Sequence, residues 1–105
     1  MTNKDKKQEV VITETVWEQM AMHARLLAET STKSAHRLTK DFGLVASALG
    51  AMPERFPWFI HDMIPFQKYR KIFCGKYHLV LFEMREDTVY VTSVIDCRED
   101  YGWLL

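Results

Sequence analysis

Between Lys68 and Ile95 the sequence carries three β-rich stretches, Lys68 to Cys74, Tyr77 to Met84 and Thr88 to Ile95, separated only by Gly75-Lys76 and Arg85-Glu86-Asp87. Each stretch is rich in Val, Ile, Phe and Tyr, residues that suit a pleated, partly buried surface. A parallel crossover needs a dozen or more residues, whereas two or three only let a chain reverse into an antiparallel neighbour. The last third of the chain is therefore expected to be a three-stranded antiparallel meander. A meander buries nothing alone, so what precedes it must supply a cover.

That cover is legible upstream. Val10 to Ile12 is a short β-branched run that reads as a first strand. Thr15 with Glu18 three residues on fits a capping box, with Thr13 as a competing cap. Val16, Trp17, Met20, Ala21, Ala24, Leu27 and Ala28 then recur at helical spacing and are expected in the core. Glu29 to Ser34 is rich in Ser and Thr, which start helices better than they continue them, so one helix ends there and a second begins. Ala35, Leu38, Phe42, Val45, Ala46 and Leu49 form the second stripe, and Gly50, as a left-handed cap, with Pro53 stops it. From 51 to 67 the chain holds all three prolines among Phe56, Trp58, Phe59 and Phe66, which predicts a long loop pinned to the domain by its rings.

The expected class is α+β, in the order β-α-α-β-β-β: an N-terminal strand, an antiparallel helical hairpin, then the meander. The small antiparallel sheet carries the hairpin on one face and the first strand at an edge, leaving the other face or its rim for function. At 105 residues there is room for one core. Residues 1–9 read as a polar, flexible tail and residues 10–105 as the single domain.

Composition removes several classes. With 48% hydrophobic and 27% charged residues the chain is neither disordered nor built of membrane spans. The start lacks the apolar stretch of a secretory signal, so a cytoplasmic protein is expected. Two cysteines, Cys74 and Cys97, make no disulfide framework, and no histidine pair stands at a ligand spacing with carboxylates. No metal and no cofactor are expected. Net charge is zero, so attraction of the whole molecule to nucleic acid does not follow.

The C-terminal third carries a resemblance. Tyr69-Arg70-Lys71-Ile72, then Gly75-Lys76-Tyr77, then the Val89 to Ile95 strand, then Arg98-Glu99-Asp100-Tyr101 before Leu104-Leu105 resemble toxins of the RelE/ParE superfamily, whose members commonly read Tyr-Arg, Gly-Lys-Tyr, a β-branched strand and Arg-Asp-Tyr. Here Glu99 interrupts the last motif, and Asp100 stands where some RNA-cutting relatives carry a histidine. The resemblance implies a type II toxin neutralised by a cognate antitoxin in a hetero-oligomer. It also implies one of two activities: contact inhibition of DNA gyrase, as in ParE-like toxins, or ribosome-dependent cleavage of messenger RNA, as in RelE-like ones. Zero net charge and the missing tail histidine favour gyrase, and a non-toxic protein-binding module is a third reading.

If the chain is a metal-free nuclease, it needs proton transfer at the 2′-hydroxyl and leaving oxygen and cations around the phosphate. The resemblance assigns that chemistry to Arg70, Arg98 and Tyr101. Lys68, Lys71, Lys76, Tyr77 and His78 are binding candidates, because the hairpin holds Lys68, Arg70, Lys71 and Lys76 with no acidic residue between Phe66 and His78. Alternation sends Arg70 to the face opposite Tyr69, Lys71 and Phe73. Competing readings stand beside these: lysines guarding a strand edge, Arg98 paired with Asp96, Glu99 or Asp100, and His78 as a hydrogen-bonded strand residue. Trp58, Phe59 and Trp103 are candidate anchors for a partner's helix.

Overall fold

A computed structural model describes residues 8–97. The elements run in the expected order: β1 (Glu9–Ile12), α1 (Glu14–Ala28), α2 (Thr32–Ala51), a 3-10 turn (Pro53–Arg55), β2 (Arg70–Cys74), β3 (His78–Arg85) and β4 (Thr88–Asp96). The fold starts before residue 10, since Glu9 belongs to β1 and Gln8 N donates to Gly50 O at 2.7 Å.

Thr13, and not Thr15, caps α1. Thr13 N is held by Val91 O at 3.3 Å, and its Oγ1 accepts from Val16 N at 3.4 Å, so the chain passes from strand to helix with no spare residue. Ser31 caps α2 by accepting from Ser34 N at 3.1 Å. Its buried stripe of Ala35, Leu38, Phe42, Val45 and Leu49 follows the helical period. Gly50 is not a left-handed cap. It lies inside α2, and its carbonyl ties the helix end to the start of the first strand. The helix ends at Ala51, with Met52 as its cap and then Pro53, which cannot continue it. Trp17 is another correction: it is 54% exposed and meets Phe42 edge-on at 5.9 Å, on the flank of the stripe rather than in the core.

The meander forms as its connectors require, with β2 antiparallel to β3 and β3 to β4. The sheet as a whole is mixed. Its order is β1-β4-β3-β2, and β1 runs parallel to β4 with Val10 beside Val89 and Ile12 beside Val91. The helices explain the direction. α1 runs along β4, from Thr13 at Val91 to His23 at Val94, and α2 brings the chain back from the β2–β3 turn to Gln8. β2 therefore starts from the end of the sheet at which β1 started, and after two reversals β4 points the same way as β1.

Both faces of the sheet are covered in part, which is why Leu79 to Phe82 is an unbroken apolar run. Val80 and Phe82 join Val89, Val91, Val94 and Cys74 beneath the helices. Leu79, Leu81 and Ile95 face the other way and are closed by Phe59 of the proline-bearing loop, with Ile64 and Tyr69 alongside. That face is thus not wholly left for function. The loop is also joined to the edge of β2 through its backbone: Phe59 N donates to Tyr69 O at 2.7 Å and Lys71 N to Pro57 O at 2.9 Å.

One irregularity sets the chemistry of the sheet end. Leu81 pairs with Ser93 but Phe82 pairs with Val91, leaving Thr92 as an extra residue whose Oγ1 donates to Leu81 O at 3.4 Å. Before this bulge Val89 and Val91 face the helices; after it Val94 and Asp96 do. Among the described residues, no helix is long and apolar enough to cross a membrane.

Candidate functional site

The turn joining the helices and the turn joining β2 to β3 meet at one end of the molecule. Between them lies a cleft of about 340 Å³ whose walls include Arg37, Asp41, Cys74, Lys76, Tyr77 and His78. Gly75 makes the turn possible: its φ is +68°, and a Cβ there would stand 3.0 Å from Asp41 Oδ2, so only glycine lets that carboxylate come so close without displacement. Lys76 Nζ lies 5.6 Å from the Tyr77 ring centre, and Tyr77 is exposed.

Cys74 is buried at the floor, and burial, helped by the nearby Asp41 charge, pushes its thiol up to about 11. It stays a protonated thiol at neutral pH and is a poor nucleophile. His78 is also at the floor, only 5% exposed. Its ring meets that of His23 edge-on with 5.1 Å between centres. His23 Nε2 lies 3.4 Å from Val94 O, and Asp96, paired with His78 across the strands, completes a buried group of three.

Three of the sequence candidates, Lys76, Tyr77 and His78, are therefore brought together, and two residues the sequence did not single out, Arg37 and Asp41, join them. Their helical spacing of four was a signal that both occupy one face of α2, but nothing local said what that face would meet.

The other candidates sit elsewhere. Arg70 is at the opposite end of β2, beside a hollow of about 600 Å³ whose lining includes Trp58, Phe66, Lys68 and Glu83. Its guanidinium stacks 3.9 Å over Trp58 and Nη1 donates to Phe56 O at 2.6 Å. Lys68 Nζ is 3.6 Å from Glu83 Oε2, and Glu83 also receives Arg85 at 3.2 Å. Lys71 is half-buried and its backbone holds the loop. The cations of the hairpin thus do not form one basic surface. Of the expected anchors, Phe59 is buried within the fold and Trp58 is covered by Arg70. Arg98, Tyr101 and Trp103 lie outside the described residues.

No family model matches the chain, and no curated protein matches it.

Proposed function

We propose that this chain is the toxin of a RelE/ParE-type toxin–antitoxin pair, neutralised by an antitoxin helix, and that it inhibits DNA gyrase by surface contact in the cytoplasm. The β-α-α-β-β-β order and the Gly75-Lys76-Tyr77 turn support the superfamily reading. The observation that carries the choice of target is Arg70. A catalytic arginine must point its guanidinium at a phosphate, and this one is spent on Trp58 and the Phe56 carbonyl. Lys68, next along, is matched by Glu83. A contact inhibitor requires neither.

One observation favours a second reading, messenger cleavage at the cleft. Lys76 and Arg37 would face a phosphate there, with Tyr77 as a stacking ring and His78 as the proton carrier. Against it, His78 is 5% exposed, too deep to reach a ribose without movement of the turn. A non-toxic binding module is the third reading.

The test is expression of the chain alone from a tightly controlled promoter with pulse-labelling of DNA and protein synthesis. DNA synthesis should stop first, and Lys76→Ala or Arg37→Ala should leave that stop in place. An early stop in protein synthesis that Lys76→Ala abolishes would overturn the gyrase reading in favour of the nuclease, and unimpaired growth would leave only the binding module.

A further inference from the structure

We propose that His23, His78 and Asp96 form a binding site for one divalent transition-metal ion, zinc by its donor set. The three come from three elements: His23 from α1, His78 from the first residue of β3 and Asp96 from the last residue of β4. His78 and Asp96 are direct cross-strand partners, and the bulge at Thr92 turns Asp96 toward the helices, where His23 descends on the pair. Each residue is less than a tenth exposed, and one potential ligand atom from each lies within 4.8 Å of the others.

The donor chemistry selects the ion. Two imidazole nitrogens and one carboxylate oxygen make the three-ligand set of open zinc sites, with a fourth position for water, whereas calcium and magnesium prefer oxygen alone. Zinc–nitrogen bonds of about 2.05 Å at tetrahedral angles put ligand atoms about 3.3 Å apart. Closing from 4.8 Å or less to that spacing takes side-chain rotation, with the three backbones already in place. His23 is already braced as a ligand. Its Nε2 lies 3.4 Å from Val94 O, and in the tautomer that donates to this carbonyl Nδ1 keeps a lone pair for an ion, as in other carbonyl-held histidine ligands. His78 also lines the 340 Å³ cleft, which gives the ion its way in and the fourth position its water. Linear spacing hid this set because no two of its members are near neighbours in sequence.

The metal site does not depend on the toxin reading. The experiment is calorimetric titration of the full, untagged, chelator-treated chain with Zn²⁺, with Co²⁺ as a spectroscopic probe and thermal melts alongside. Binding of one equivalent with micromolar or tighter Kd is expected, with the visible bands of four-coordinate cobalt. A melting-temperature rise of roughly 10 °C is expected at hundred-fold excess over Kd. His23→Gln and Asp96→Asn, checked for folding by circular dichroism, should each weaken binding roughly 1000-fold, beyond the roughly 10–100-fold loss typical of outer-sphere changes. His36→Gln and His61→Gln should change nothing. Absence of a one-to-one site in the wild-type chain, or binding that survives His23→Gln and Asp96→Asn undiminished, would overturn the proposal. The wild-type titration decides even if both variants fail to fold.

Discussion

Replacing Arg70 with alanine should cost about 2–3 kcal/mol of folding stability, from two interactions. Its charged Nη1 donates to the Phe56 carbonyl at 2.6 Å, and a charge-assisted hydrogen bond of that kind contributes about 1.5–3 kcal/mol when sheltered. Its guanidinium covers Trp58 at 3.9 Å, which adds about 0.5–1 kcal/mol at a partly exposed site. Arg70 is half-buried, so water takes back part of the sum and the lower half of the combined range applies. The loss should appear in urea unfolding as a lower midpoint at unchanged slope, and in limited proteolysis as faster cleavage between residues 52 and 67. Arg70→Lys keeps the charge but not the planar stacking surface or the fork of donors, so it should lose most of the same stability. If both variants unfold within about 0.5 kcal/mol of the wild type while messenger cleavage disappears, Arg70 is a catalytic group and its placement as a clasp is wrong.

Three further outcomes are expected. Gly43 lies within α2, and a Cβ added there would meet nothing within 4 Å, so Gly43→Ala should stabilise by about 0.8 kcal/mol in thermal melts, whereas Gly75→Ala, at φ +68° and facing Asp41, should destabilise by about 1–2 kcal/mol. Thr13→Ala removes the acceptor for Val16 N and should cost about 1 kcal/mol, while Thr15→Ala should fall within about 0.5 kcal/mol of wild type by urea titration. At about pH 8.5 iodoacetamide should label the half-exposed Cys97 and spare Cys74 until denaturant is added. Because the folded pKa of Cys74 is raised to about 11, its contribution to stability is intact below about pH 8.5, where an unfolded thiol titrates, and declines as pH rises toward 11.

The meander was legible because its connectors are too short to allow anything else, and the helical stripes because periodicity is a local property. The β1–β4 pairing was not: Val10 to Ile12 announces a strand but says nothing about which distant strand receives it or in which direction. The bulge was equally silent. Thr92 in a run of β-branched residues looks like any strand residue, yet it decides that Asp96 and not Ile95 meets His23 and His78. Trp17 misled because spacing marks a helix face but not how far the neighbouring helix reaches across it. At the site, alternation separated Arg70 from Lys71 correctly in direction, but the basic hairpin dissolved once Glu83 and the Phe56 carbonyl were seen to occupy two of its cations.

The parallel ladder between β1 and β4 joins the first and last elements of the described chain. During synthesis the first strand leaves the ribosome early and has no partner until Thr88–Asp96 has emerged, so the helices can gather but the sheet cannot close. Completion of the fold is thus tied to the emergence of Thr88–Asp96 rather than spread along the elements before it. A chain interrupted before β4 would present an unpaired edge and an uncovered helical stripe, and would be a substrate for proteases in place of an active product.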